Sequence, residues 1–233
     1  MRAAQKLQDH TQFAHALRPI DTKRRSDGSH GPEPLGESAY IAAGTPIHFE
    51  GDEATCLYRL LSGTVVTYSV QEDGRRQVTG FRFAGDFFGC DSSPLYRATA
   101  EAITDCTIVR YSRRKLNLFN GASQYGQFVL QAALGELCAA EEQILLLGRT
   151  TSCAKVAAFL LYLAQRARQR GAAGKAVSIP MTRYDIGGFL GLTAESVSRC
   201  FTKLKSAGLI ELETFDEVVL VDEEALSDIP RGF

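Results

Sequence analysis

The chain has 233 residues, 45% hydrophobic and 23% charged, which is the composition of an ordinary soluble globular protein of one or two domains. Its longest unbroken apolar run covers only residues 156–164. A membrane-spanning helix needs about 20, and the first residues show no secretory signal, so no membrane is expected and a cytoplasmic location follows. A net charge of −1 excludes a chain that is basic throughout, so any nucleic-acid surface has to be local.

Residues 1–38 read as a flexible N-terminal arm. The stretch 21–34 is polar and rich in turn formers, and only Phe13 and Leu17, four apart, could share a face of a short helix. Residues 39–121 read as a β domain. Short apolar runs at 40–42, 57–61, 65–70, 78–83 and 106–111 alternate with glycines at 44, 51, 63, 74, 80, 85 and 89, the pattern of a compact antiparallel barrel or roll. Glu72-Asp73-Gly74-Arg75 is a hairpin turn, because Asp-Gly tolerates positive φ. Residues 122–149 change to a helical period. Leu130, Ala133, Leu137, Ala140, Ile144 and Leu147 recur at spacings of three and four. The stripe could pack on the chain's own β domain, but its length favours a second copy of the helix and hence a homodimer. A further helix runs from Cys153 to about Arg170, and residues 224–233 read as a tail.

Six cysteines (Cys56, Cys90, Cys106, Cys138, Cys153 and Cys200) are scattered without ligand spacing. Neither a disulfide framework nor a metal or iron–sulfur site is expected. Four histidines within the first 50 residues read as surface groups. Clustered carboxylates, a nucleophile–base pair and a metal set are all missing from the pattern, so neither an enzyme nor a cofactor is expected.

Residues 150–223 carry the strongest signal. Between Thr150 and Gly208, nine basic residues (Lys155, Arg166, Arg168, Arg170, Lys175, Arg183, Arg199, Lys203, Lys205) face two acidic ones (Asp185, Glu195). Thr182 with Asp185 three residues on forms a near capping box. Gly191 supplies a tight turn, and Thr193 caps a second helix over 194–207. Two short helices joined by a glycine turn and followed by a hairpin, 209–212 with 218–221, make a winged helix-turn-helix. At 100° per residue, Val197, Phe201 and Leu204 fall on one side of the second helix. Glu195, Ser198, Arg199 and Thr202 fall on the other, with Lys203 and Lys205 on the flanks. Arginine forks guanine O6 and N7, glutamate accepts from the cytosine amino group, and hydroxyls and lysines hold phosphates. Glu195, Ser198 and Arg199 are therefore the expected base contacts on double-stranded DNA. Thr182, Arg183, Thr193, Ser196, Thr202, Lys203 and Lys205 are the expected phosphate contacts. Cys200 falls on the shoulder between the groove face and the core. There it is either a redox-sensitive thiol, made acidic by Arg199 and Lys203, or a small packing residue.

The run Met181-Thr182-Arg183-Tyr184-Asp185-Ile186-Gly187-Gly188-Phe189-Leu190-Gly191-Leu192-Thr193-Ala194-Glu195-Ser196-Val197-Ser198-Arg199 resembles the DNA-binding signature of the CRP/FNR superfamily, and most of all its FNR and FixK branches. The likeness covers about residues 40–225 and includes the roll segment Val78–Gly89. It implies an α+β chain: a cyclic-nucleotide-binding-like β-roll, a long dimerisation helix and a C-terminal winged helix-turn-helix. It also implies a homodimeric activator on a palindrome resembling TTGAT-N4-ATCAA, and an RNA polymerase contact at Asp73, Gly74 and Arg75. Residues 1–55 contain no cysteine, which departs from the cluster-binding FNR pattern. Gly89-Cys90-Asp91-Ser92 lacks the glutamate of the cyclic-AMP receptors, and Tyr96-Arg97-Ala98-Thr99-Ala100 matches their second element only in part. The resemblance that remains is to FixK-like regulators without a built-in cofactor, which serve genes of microaerobic respiration and nitrogen fixation. The alternative is a member gated by a cyclic nucleotide or a haem-bound gas.

Overall fold

A computed structural model describes residues 18–19, 36–114, 124–214 and 216–229. The expected Phe13–Leu17 helix and the polar stretch 21–34 lie outside them. The chain forms two compact units that cut across chain order. One ends at Ser69 and resumes over Phe81–Cys138; the other joins Val70–Gly80 to the residues from Ala139 onward. The roll expected over 39–121 thus lends the tip of one hairpin to the C-terminal unit.

The first unit is built from short strands in two antiparallel sheets. One has the order β1 (Arg18–Pro19), β2 (Gly36–Ile41), β9 (Cys106–Ser112), β4 (Cys56–Ser62), β7 (Phe87–Phe88). The other has the order β3 (Pro46–His48), β8 (Thr99–Ala102), β5 (Thr64–Val70), β6 (Arg76–Phe83). Pairing of β1 with β2 through Arg18–Tyr40 gives part of the expected arm a strand. The side chains turned inward from both sheets, Ile41, Leu60, Val65, Phe88, Tyr96 and Ile108, close one core. Gly63, at φ 92°, makes the β4–β5 turn where a Cβ would stand 2.4 Å from the Asp105 carbonyl oxygen, so no other residue fits.

His48 corrects the expectation that all the histidines lie on the surface. It is 8% exposed inside the roll, stacked on Tyr96 with ring centroids 3.7 Å apart. Burial lowers its pKa to about 4, outweighing the backbone groups of Phe49 and Ala98, which act the other way.

Helix α1 (Gln124–Leu147) has two apolar sides. Ala132 and Leu146 are buried, while Leu130, Leu134, Leu137, Ile144 and Leu145 are exposed roughly opposite them. Helix α2 (Ser152–Gln169), capped by the Thr151 hydroxyl, turns Val156, Phe159, Leu160 and Leu163 into the core of the second unit. Helices α3 (Arg183–Leu190) and α4 (Ala194–Ser206) pack with it. A three-stranded antiparallel sheet of order β10 (Ala176–Ser178), β12 (Glu217–Leu220), β11 (Ile210–Leu212) completes the unit. The expected C-terminal tail is corrected in part. Residues 223–227 form α5 (Glu223–Ser227), whose start is capped by Asp222 accepting from the Ala225 N–H at 2.9 Å and whose Leu226 is buried. An aspartate followed by two glutamates is a helix-start signal that was there to read.

Candidate nucleic-acid interface

The interface is a helix–turn–helix held by reciprocal caps. The Thr182 hydroxyl accepts from the Asp185 N–H at 3.1 Å, and the Asp185 carboxylate accepts from the Thr182 N–H and hydroxyl. Helix α3 ends at Gly191, which is left-handed at φ 65° and ψ 40°. The Leu192 N–H then turns back to the Gly187 carbonyl. Gly187 is needed for this closeness, because a Cβ there would stand 2.6 Å from the Leu192 carbonyl oxygen. Helix α4 starts from Thr193, whose hydroxyl accepts from the Ser196 N–H at 3.1 Å and donates to the Ser196 hydroxyl.

The faces of α4 separate as the angles require. Val197, Cys200, Phe201 and Leu204 are buried, while Glu195, Ser198, Arg199, Thr202, Lys203 and Lys205 are exposed. Arg199 and Glu195, two of the expected base contacts, lie one turn apart with their charged ends at 3.5 Å and most of their surface in solvent. Solvent screening leaves such a pair weak, so both groups can be drawn away by a better partner. The hydroxyls of Ser198 and Thr202 donate to the carbonyls of Ala194 and Ser198 one turn back, so donating to a phosphate means giving up that bond.

Other expected contacts are tied elsewhere. The Arg183 guanidinium lies 3.5 Å from the centre of the Phe201 ring, and burial depresses its pKa. Thr182 and Thr193 spend their hydroxyls as caps. The basic block is also less of a single field than its count suggests. Arg168 pairs with Glu223, the Lys155 ammonium donates to the Leu190 carbonyl at 3.2 Å, and Lys175 donates to the Val221 carbonyl at 3.0 Å. Exposed Lys203 and Lys205 remain beside the reading face, together with Arg199.

Cys200 is 3% exposed, and its thiol is pushed up to about 12 by burial first and by Cys153 second. Of the two readings open for Cys200 in the sequence, this burial favours the small packing residue over an acidic thiol at the groove.

The hairpin tip lies within this unit. The Asp73 carboxylate pairs with the Arg75 guanidinium at 2.6 Å, and Gly74 takes φ 82°. Behind the tip, the Arg76 N–H donates to the Tyr184 hydroxyl at 3.4 Å and the Gln77 amide to the Gly188 carbonyl at 3.2 Å. The side-chain amide of Gln143 on α1 donates to both the Val78 carbonyl and the Phe189 carbonyl, at 3.0 and 3.2 Å. Arg75, Arg76, Gly187, Gly188 and Thr193 line one open cleft. The sequence reading passed over Gln143, Gly187 and Gly188. The glycine pair inside a helical pattern was the available signal, since each costs about 1 kcal/mol there unless a close approach requires it.

Of the expected dimer residues, Leu130, Ala133, Leu137, Ala140 and Ile144 are exposed on α1, and Leu134 and Leu145 extend the stripe. Leu147 departs from it: it is half-buried, with its end beside Gly191 in its own unit.

Among the described residues, no group of three or more His, Cys, Asp or Glu side chains is placed to hold a metal, and no helix is long and apolar enough to cross a membrane. A β-rich domain, a long helix with an uncovered apolar side and a winged helix-turn-helix together define a DNA-binding regulator. The model of the Crp-like helix-turn-helix domain matches residues 154–229, and that of the cyclic nucleotide-binding domain matches residues 39–119. The chain is similar to the nitrogen fixation regulation protein FixK of Bradyrhizobium diazoefficiens, at 36% identity over 77% of this chain and 76% of the relative. It is also similar to the protein of the same name from Azorhizobium caulinodans, at 39% identity over 82% and 78%. The solved structure of FixK2 from Bradyrhizobium japonicum superposes with a TM-score of 0.75 at 33% identity, covering 85% of this chain and 98% of that one. The chain belongs to the CRP/FNR family of transcription regulators, in its FixK-like branch.

Proposed function

We propose that the protein is a homodimeric activator that reads a palindrome resembling TTGAT-N4-ATCAA with one α4 helix per half-site. The observation that carries this is the division of α4 into a buried side and a side where Arg199, Glu195 and Ser198 stand free of the core. A two-fold pair of such helices reads a two-fold site. The uncovered apolar side of α1 is the surface the second copy covers. Its relatives' names point to genes of nitrogen fixation as the targets, and the tip Asp73–Gly74–Arg75 is the surface offered to RNA polymerase.

The roll supports a regulator that needs no nucleotide. Its Gly89–Ser93 loop is gripped by the protein's own side chains. Arg113 donates to the Gly89 and Ser93 carbonyls at 2.9 and 3.2 Å, and Glu136 accepts from the Cys90 N–H at 3.4 Å. The test is selection of binding sites from random double-stranded DNA with purified full-length protein and no added ligand. Enrichment of an inverted repeat of TTGAT supports the reading. Enrichment only after a cyclic nucleotide is added would replace it with the ligand-gated alternative.

A further inference from the structure

Two cysteines of the C-terminal unit stand against each other beneath the reading helix. Cys153 lies in the first turn of α2 and Cys200 near the middle of α4. Both are buried, both are free thiols, and their Sγ atoms are 2.8 Å apart. No bond joins them, yet each sulfur has the other as its immediate neighbour.

We propose that Cys153 and Cys200 are a dithiol that hydrogen peroxide converts into a reversible intrachain disulfide, which ties α4 to α2 and spares the reading helix from deeper oxidation. One sulfur, as thiolate, attacks a peroxide oxygen. The O–O bond breaks, a sulfenic acid forms and, with the thiol's proton, one water leaves. The second thiol then attacks the sulfenic sulfur, the S–O bond breaks, the S–S bond forms and a second water leaves. Each sulfur gives up one electron, and the peroxide is reduced to two waters.

The geometry sets the order of events. A thiol already in contact competes with a second peroxide as an intramolecular nucleophile, so the sulfenic acid is trapped before it reaches the irreversible sulfinic stage. Without that partner, a sulfinate at Cys200 would place an unpaired charge among Val197, Phe201 and Leu204 in the core that seats α4. The disulfide leaves the opposite side of α4 alone, because Arg199 is mostly in solvent while Cys200 is buried. Burial and the high pKa of Cys200 keep the thiolate fraction small, so oxidation follows slow local opening rather than instant contact with peroxide.

The experiment uses the full-length protein, Cys153→Ala and Cys200→Ala, each treated with hydrogen peroxide, alkylated and digested without reduction. Mass spectrometry then identifies the products, and the affinity of each sample for a DNA fragment bound by its untreated form is measured. The parent is expected to yield a linked peptide pair lighter by two hydrogens and reversed by dithiothreitol, with DNA affinity held within about threefold. Each single variant is expected to accumulate sulfinic or sulfonic acid at the remaining cysteine and to lose affinity by about tenfold or more. Absence of the linked pair from folded parent, under peroxide that links the same residues in the unfolded chain, overturns the proposal. So does sulfinic acid at Cys200 appearing as fast in the parent as in Cys153→Ala. The linked-peptide readout in the parent needs neither a variant that folds nor a known operator, so its failure is distinct from failure of the palindrome reading.

Discussion

On the proposed reading, single side chains on α4 divide the work between sequence reading and general attraction. Arg199 is mostly in solvent, in a loose ion pair with Glu195. If Arg199 forks a guanine as proposed, Arg199→Ala is expected to lose about 1–3 kcal/mol of operator affinity and to relax preference at that position. If Lys203 contacts phosphate as proposed, Lys203→Ala is expected to weaken all sequences alike and to flatten the salt dependence. Competition titrations over a range of salt separate the two, and an Arg199→Ala protein with unchanged sequence preference would mean that α4 is docked differently. His48 sets a pH limit in the roll. Its folded pKa is lowered to about 4, so the unfolded chain takes up a proton below about 6.5 while the folded roll resists. Stability from this residue is complete above about 6.5 and falls as pH drops toward 4, by up to about 3 kcal/mol. Urea unfolding of His48→Phe, which keeps an aromatic ring against Tyr96, should show a smaller loss than the parent between pH 7 and pH 4.5. Parallel losses in the two proteins would assign the acid sensitivity to carboxylates instead.

Within the elements, the turn and the long helix carry the sharpest expectations. The α3–α4 turn closes on Gly187, where a Cβ would meet a carbonyl oxygen that belongs to the backbone and cannot swing aside. Gly187→Ala is therefore expected to destabilise the C-terminal unit by about 1–3 kcal/mol, with a matching loss of DNA binding. Thermal unfolding followed by helical circular dichroism reads it, and an unshifted transition would show that the turn has slack. On α1, a charge placed at Leu137 would be buried opposite its own symmetry mate if the stripe is the dimer seam. Leu137→Glu is expected to sediment as a folded monomer and to bind the operator poorly, since desolvating an unpaired carboxylate costs several kcal/mol. Persistence of a tight dimer would place the seam elsewhere.

Across the whole molecule, the point that matters most is the hairpin tip that joins the C-terminal unit. Its strand is held by backbone and amide contacts, from the Arg76 N–H, the Gln77 amide and the Gln143 amide that also reaches Phe189. The tip side chains Asp73 and Arg75 point instead to solvent and bond to each other. Substituting both by alanine is expected to leave operator affinity unchanged, because the backbone contacts remain, and to reduce transcription in vitro if the tip meets RNA polymerase. Equal transcription from parent and variant would remove the tip from that role, and a loss of operator affinity would show that it acts on α3 instead.

Much of this molecule was legible in the order of its residues, for local reasons. Thr182 with Asp185, Gly191 and Thr193 announce two capped helices and the turn between them, and the spacing of Val197, Phe201 and Leu204 orients α4 without any tertiary knowledge. Glycines between short β-branched runs mark the main strands of the roll. Strands β3, β7, β8 and β10 went unread because two to four residues carry no period, and pairing alone makes them strands. What the tertiary structure settled are matters of proximity between distant positions. His48 is interior because Tyr58, Phe88 and Tyr96 surround it, and Arg183 lies over Phe201 rather than reaching outward. Cys200 meets Cys153 across 47 positions of chain, and Val70–Gly80 joins residues more than 60 positions further on. Periodicity reports which side of an element is buried, but only packing decides which element covers it.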